Sequence, residues 1–349
     1  MHPRSLVHEH GAIFDVALAQ VDSIRQIVQS TDQWPAIAPG LAVHVVAVAF
    51  DAGSGRLETR SPAALISLTA QPIPGTRPQN YRGRMHSPIT GTAAGVPFTA
   101  LPPAGDGAAP LIVTWHMLDA PRSNAAFAAA LPMNDLPAWR VHLGMPMCGE
   151  RMVNGSTEAI GERFRKDPLM SVLFPFVRQA TEEFPAALAS IRAQLPVDDG
   201  PIGVLGGSLG GAVALRIIAD TEIPVFAGAV VNGAIRMRSV VDLFPGDYPY
   251  DAESEKAVDS LDFVAKSGVL AGRSPLLVVS GELDHPALRA DAFQLVDAVG
   301  ERSELLSIPG LAHPLADEPG IEPAPQLPPA REVDAGLITW FRRHLADAG

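Results

Sequence analysis

Residues 206–211 read Gly206-Gly207-Ser208-Leu209-Gly210-Gly211. This stretch lies between an apolar run, Ile202 to Leu205, and a run of helical character, Gly211 to Ile218. A serine between glycines at a strand-to-helix turn is typical of a nucleophile elbow, because the sharp turn leaves little room for neighbouring side chains. The following helix directs backbone N–H groups and the positive end of its dipole at a developing oxyanion. The stretch therefore predicts an α/β fold that presents Ser208 as a nucleophile.

Two other interpretations of this turn are an ordinary strand-to-helix connection and a phosphate-binding loop. No Gly-Lys-Ser/Thr follows, and no acidic ribose anchor lies in the expected context, so the nucleophile is favoured. A serine hydroxyl is a poor nucleophile at neutral pH. The hypothesis therefore requires a base and an orienting acid later in the chain.

Asp284 and His313 meet that requirement. Asp284 follows the apolar run Leu276 to Val279, and His313 follows the last predicted strand, Glu304 to Ile308. The carboxyl ends of strands in such a sheet carry its ligand-facing groups, and the chain order Ser, Asp, His is one that catalytic triads use. We therefore predict a triad of Ser208, His313 and Asp284.

Each partner has a competitor nearby. Glu282 could also orient an imidazole, but Asp284 is favoured because the turn after the strand must first leave the sheet. His285 is adjacent to Asp284, and neighbours in sequence rarely face each other for a hydrogen bond. His313 is therefore the better candidate for the base.

An oxyanion hole needs two backbone N–H groups. Leu209 supplies the first, and the loop after the predicted strand Leu111 to Trp115 supplies the second. In that loop Leu118 is the favoured donor and Met117 the alternative. His116 could be a pocket residue or a buried histidine that only ends the strand.

The rest of the chain predicts a doubly wound, mostly parallel sheet, because short apolar runs alternate with helical patterns. Helical spacing is clearest at Phe184, Leu188, Ile191 and Leu195, and again from Val333 to Ala348. The six predicted strands are Leu111 to Trp115, Trp139 to Leu143, Ile202 to Leu205, Phe226 to Val231, Leu276 to Val279 and Glu304 to Ile308.

Residues 1–90 are predicted to be an N-terminal extension, and residues 91–349 the catalytic domain. The extension contains an amphipathic helix, Gly11 to Ser30, which could form a homodimer contact, although plain packing is more usual for such a helix. Two strands, Leu41 to Phe50 and Leu65 to Leu68, are expected to form a hairpin, and a short strand is expected at Val96 to Leu101.

The interval 235–273 is longer than one crossover helix requires and is predicted to be a helical lid. Its aromatic residues Phe244, Tyr248 and Tyr250 are predicted to line a substrate pocket together with His116. A proline-rich loop, Pro314 to Arg331, is expected near the pocket mouth.

Composition excludes several classes of protein. Acidic residues outnumber basic ones, 38 to 26, so nucleic acid and anionic membrane surfaces are not expected partners. A single cysteine, Cys148, cannot form an internal disulfide or a thiolate metal cluster, and the histidines show no metal spacing beyond His8-x-His10. Without a signal-like apolar region or a run of about 18 apolar residues, a cytoplasmic location is expected.

With these residues in view, the chain resembles the α/β-hydrolase superfamily, and most of all its prolyl-oligopeptidase-related and dienelactone-hydrolase-like esterases and peptidases. The resemblance covers about residue 90 to the end. It implies that Ser208 forms an acyl-enzyme, that His313 acts as general base and then acid, and that Asp284 orients it, with no metal or cofactor. The family usually has His-Gly in the oxyanion loop, whereas this sequence has His116-Met117. A side chain at Met117 is expected to restrict the backbone angles of this loop and to narrow the pocket beneath it.

The expected substrate is a small ester or thioester with an apolar portion, because the predicted lid is apolar and aromatic with few cations. A peptidase or amidase is the first alternative, since the same triad serves both reactions. A receptor or scaffold without activity is the second alternative.

Overall fold

The computed structural model describes residues 48–51, 56–59, 87–103 and 107–348. Contacts divide the chain into two compact units, Met1–Tyr81 and Arg82–Gly349. In the first unit, strand β1 (Val48–Asp51) pairs antiparallel with β2 (Arg56–Thr59). The predicted hairpin is therefore present, with its second strand at 56–59. The predicted helix at 11–30 and strand at 65–68 lie outside the described residues.

The second unit is built on an eight-stranded sheet. The strands are β3 (Ile89–Ala93), β4 (Val96–Leu101), β5 (Leu111–Trp115), β6 (Trp139–Leu143), β7 (Ile202–Gly207), β8 (Val225–Val231), β9 (Leu276–Gly281) and β10 (Ser303–Ile308). Their order in the sheet is β10-β9-β8-β7-β5-β6-β4-β3. Neighbouring strands from β10 to β6 run parallel, and β4 and β3 add an antiparallel edge.

All six predicted parallel strands are present, as is the strand predicted at 96–101. Strands β5, β7, β8 and β9 form because their residues are apolar or glycine at almost every position, which suits a strand covered on both faces. Every residue of β5, β6, β7 and β9 is buried. Strand β3 was not predicted. It is an edge strand whose residues are mostly exposed. Its sequence, Ile-Thr-Gly-Thr-Ala, therefore lacks the continuous apolar run that marks the buried strands.

Helices cover both faces of this sheet. The described α-helices are α1 (Asn124–Ala130), α2 (Thr157–Lys166), α3 (Phe174–Gln194), α4 (Leu209–Asp220), α5 (Met237–Val241), α6 (Ala252–Asp259), α7 (Ser267–Arg273), α8 (Pro286–Val299) and α9 (Pro328–Ala348). On one face lie α3, α4 and α8, and on the other lie α1 and α9. Among the described helices, none has the length and apolar character needed to span a bilayer.

The predicted helical patterns bury the residues that defined them. In α3, Phe184 and Ile191 are fully buried, and the ring of Phe184 meets Trp115 of β5 edge to face at 4.9 Å. In α9, Leu337 and Phe341 are fully buried on the opposite face. This packing fixes the sheet between two layers and leaves the carboxyl ends of its parallel strands at one edge.

Candidate active site

Ser208 stands between β7 and α4 in a strained backbone conformation. Its φ is 48° and its ψ is −119°, a combination that residues with a side chain adopt only where their surroundings impose it. The Ser208 N–H donates to the carbonyl of Val231 at 3.0 Å, and its carbonyl accepts the N–H of Ala234 at 2.9 Å. Strand β8 and the turn after it therefore hold the serine in this conformation.

The glycines around Ser208 have a steric reason. A Cβ on Gly206 would lie 1.9 Å from the carbonyl oxygen of Gly210, and a Cβ on Gly210 would lie 2.2 Å from that of Trp115. Both distances are far inside van der Waals contact with rigid backbone. The close crossing of β7, α4 and the end of β5 is possible only with glycine at these two positions.

The structure brings the three predicted triad residues together. The hydroxyl of Ser208 lies 2.9 Å from Nε2 of His313, and Nδ1 of His313 lies 2.8 Å from Oδ1 of Asp284. With Nδ1–H donating to the carboxylate, Nε2 is left as the acceptor for the serine proton. The Asp284 side chain is almost fully buried, and that of His313 is 12% exposed. These contacts are what a serine nucleophile needs for activation.

The two competing residues, Glu282 and His285, make other contacts. Glu282 is exposed, and its carboxylate accepts a hydrogen bond from the Ser307 hydroxyl at 3.4 Å. The His285 ring lies near the His313 ring, with centroids 5.6 Å apart, while its backbone N–H donates to Asp284 at 2.7 Å. Of the two acids considered, Asp284 is the one in contact with His313.

Asn232, which follows β8, joins the loops that carry Asp284 and His313. Its side-chain amide donates to the carbonyls of Ala312 and His313 at 2.8 and 3.0 Å, and its Oδ1 accepts the N–H of Gly281 at 2.8 Å. The residue is buried, and its φ is 46°. Asn232 was not predicted from the sequence to belong to the site. A single polar residue at the end of an apolar strand is the one signal that marks it.

The pKa of His313 is raised above its ordinary value of 6.5. Burial alone would lower it, but the hydrogen bond that His313 donates to Asp284 and the negative charges of Asp284 and Asp119 together outweigh burial. Asp119 was likewise not predicted from the sequence to belong to the site. Its carboxylate lies 3.5 Å from Nε2 of His313, the same nitrogen that contacts Ser208.

His116 supports the predicted oxyanion loop from below. Its Nδ1–H donates to the carbonyl of Met117 at 2.7 Å, and its Nε2 accepts the N–H of Met145 at 3.0 Å. Burial lowers the pKa of His116 to about 4, so the ring is neutral and both nitrogens are engaged with backbone. The trans peptide after Met117 directs the N–H of Leu118 away from this ring. Leu118 and Leu209 remain the predicted oxyanion donors.

Met117 does not project into a pocket. Its side chain is fully buried in the core and lies beside Gly207, where a Cβ would come within 2.8 Å of the Met117 side chain. The sequence leads to the expectation that Met117 narrows the pocket beneath the loop. The structure instead shows that it fills the space behind the elbow, which is also why residue 207 has no side chain.

The aromatic residues of the predicted lid contact one another and α2. The Phe244 ring stacks on Phe164 at 5.3 Å, and the Tyr248 hydroxyl donates to Asp167 at 2.9 Å. The Tyr250 ring packs against Tyr248 at 4.7 Å. These contacts fasten 235–273 to the segment around α2, and a pocket role for the three rings stays a prediction.

A small, mostly apolar hollow, the Leu118 hollow, opens beside Leu118. Its lining residues are Leu118, Arg122, Met147, Cys148, Gly149, Met152, Ile160 and Ile321. Burial raises the pKa of the Cys148 thiol to about 12, so this residue contributes an unreactive apolar surface. In the part of the chain that the structure describes, no group of His, Cys, Asp and Glu side chains is arranged to hold a metal ion.

No protein-family model matches the sequence, and no curated protein matches it. Several solved structures are similar in fold. A puromycin-hydrolyzing peptidase from Mycobacterium tuberculosis superposes with a TM-score of 0.52 at 16% identity, over 86% of this chain and 44% of its own. Est1E from Butyrivibrio proteoclasticus superposes with a TM-score of 0.50 at 14% identity, over 75% of this chain and 100% of its own.

A third similar structure is an acylaminoacyl peptidase in complex with Z-Gly-Gly-Phe-chloromethyl ketone, with a TM-score of 0.50 at 15% identity. It is covered over 41% of its length, so this chain spans less than half of each of the two peptidases and all of Est1E. At these identities the likeness concerns the fold. It confirms the prediction of an α/β-hydrolase fold for the second unit.

Proposed function

We propose that this protein is a serine hydrolase that cleaves carboxylic esters or thioesters through an acyl-enzyme on Ser208. The observation that carries the proposal is the unbroken hydrogen-bond chain from the Ser208 hydroxyl through His313 to the buried carboxylate of Asp284. A strained serine and a buried carboxylate are costly to maintain in a protein that only binds. This supports an enzyme over a receptor or scaffold.

In the proposed reaction, His313 Nε2 takes the proton of the Ser208 hydroxyl as its oxygen attacks the carbonyl carbon. Asp284 stabilises the resulting imidazolium, and the N–H groups of Leu209 and Leu118 stabilise the oxyanion. The carbon–oxygen or carbon–sulfur bond then breaks, and the alcohol or thiol leaves with the proton from Nε2. Water, deprotonated by the same nitrogen, releases the acid and restores the serine.

Peptide or amide cleavage is the second candidate, because two of the similar structures are described as peptidases. The ester is placed first because the match leaves more than half of each of these two peptidases uncovered. The Leu118 hollow does not decide between the two reactions, because its volume of about 20 Å³ has room for a group no larger than a water molecule.

A substrate panel tests this ranking. Wild-type protein is expected to hydrolyse p-nitrophenyl esters from acetate to decanoate, with an optimum of chain length, and to react once with a fluorophosphonate, seen as a single adduct by intact mass. Aminoacyl-nitroanilides serve as the peptidase arm. Cleavage of the nitroanilides without the esters would make the peptidase the first proposal. Neither turnover nor labelling would favour the receptor.

The pH dependence of kcat/KM tests His313 as the base. Since the pKa of His313 is raised above 6.5, activity is expected to be full well above that value and to fall on the acid side with a midpoint higher than 6.5. The measurement is a pH profile with p-nitrophenyl acetate, with protein integrity checked at each pH. An acid limb with a midpoint near 4 would assign the base to a carboxylate and contradict the proposal.

A further inference from the structure

We propose that Asp119 is a specificity residue that selects esters or thioesters whose leaving group carries a positive charge. This inference rests on the proposed function, because it assigns a substrate class to the same site. Its starting point is the carboxylate of Asp119, which lies 3.5 Å from Nε2 of His313. In the proposed reaction that nitrogen delivers the proton to the leaving group, so the carboxylate stands beside the leaving group as well.

The charge of Asp119 is available to a ligand. Its side chain is 52% exposed, and among the described residues His313 is the one group within ion-pair distance of it. Arg122, three residues further along, pairs with Glu318, and Arg151 pairs with both carboxylate oxygens of Glu183. The neighbouring cations are therefore neutralised by other carboxylates, and a substrate cation would meet an uncompensated negative charge at Asp119.

The charge of the leaving group decides how Asp119 acts on different substrates. With every substrate the carboxylate attracts the imidazolium of His313 and repels the oxyanion, so these two effects do not distinguish one ester from another. A cation in the leaving group adds an attraction of its own. A nitrogen two carbons from the scissile oxygen or sulfur has the reach required, since the proton donor and the carboxylate are themselves 3.5 Å apart. An anionic leaving group would be disfavoured.

A matched pair of thioesters tests the inference. Acetylthiocholine carries a quaternary ammonium two carbons from sulfur, and S-(3,3-dimethylbutyl) thioacetate is its neutral isostere. Wild type is expected to have a kcat/KM about fivefold or more higher for the cationic thioester, the factor given by one ion pair near 4 Å in a water-like dielectric. The ratio is expected to be close to one in Asp119→Asn and below one in Asp119→Lys.

The ratio of the two substrates isolates recognition of charge. Loss of Asp119 also changes the pKa of His313, but that change acts on both thioesters equally and cancels at a given pH. The control variant Glu301→Gln removes one negative charge next to the amino end of β10, whereas the site lies at the carboxyl ends of the strands. This variant should leave the ratio unchanged. In wild type the ratio should also fall as salt rises, a readout that needs no variant.

The outcomes separate this inference from the proposed function. If wild type takes the fluorophosphonate and hydrolyses the neutral thioester but shows no preference, or the same preference as Asp119→Asn, the role of Asp119 is wrong and the hydrolase stands. If wild type neither takes the label nor hydrolyses either thioester, the proposed function fails and the inference falls with it.

Discussion

Replacing Ser208 with alanine is expected to lower turnover of p-nitrophenyl esters by about 10⁶-fold, to the limit of detection, and to abolish fluorophosphonate labelling. The variant lacks the oxygen that forms the acyl-enzyme, and His313 has no hydroxyl left to activate. The residual rate would come from the oxyanion donors and from binding alone. Steady-state kinetics and intact mass, with wild type in parallel, are the measurements.

The same variant should fold normally. Alanine and serine both carry a Cβ, so the strained φ of 48° at residue 208 is no harder for alanine to adopt. The melting temperature is therefore expected to stay close to that of wild type. Ser307→Ala is the matched control, because Ser307 is an exposed serine near the end of β10 that contacts Glu282 and not His313. Full activity in Ser208→Ala would contradict the nucleophile assignment.

The parallel sheet could be predicted from the sequence because its signal is local. Strands buried on both faces are continuous apolar runs, and the elbow combines such a run with a glycine-flanked serine and a helix, all within 202–218. Chain order then pointed to Asp284 and His313. Their contacts with each other and with Ser208 are those that the predicted triad requires.

The parts that were missed depend on contacts between distant residues. Asn232 binds backbone groups 49 to 81 positions away, and nothing in its own neighbourhood signals those partners. Asp119 follows β5 and His313 follows β10, and the two side chains meet only because the carboxyl ends of both strands lie on the same side of the sheet. The inward direction of the Met117 side chain also depends on Gly207, which belongs to another strand.

Asp284→Asn is expected to lower kcat by about 10⁴-fold, the loss seen when the orienting acid of a comparable triad is replaced by its amide. In wild type the carboxylate accepts Nδ1–H of His313 at 2.8 Å, which leaves Nε2 free to take the serine proton. Asparagine can instead present an N–H to Nδ1 and favour the tautomer with the proton on Nε2. That tautomer cannot act as the base toward Ser208.

The matched control is Glu282→Gln, which makes the same change from carboxylate to amide two residues away. Glu282 is exposed and contacts Ser307, so this variant should keep nearly full activity. Measured side by side, the two variants decide which acid orients the base. A nearly silent Asp284→Asn with an inactive Glu282→Gln would make Glu282 the orienting acid.

If only Asp284→Asn is impaired, its residual activity should also have an acid limb at lower pH, because the charge and hydrogen bond that raise the pKa of His313 are gone.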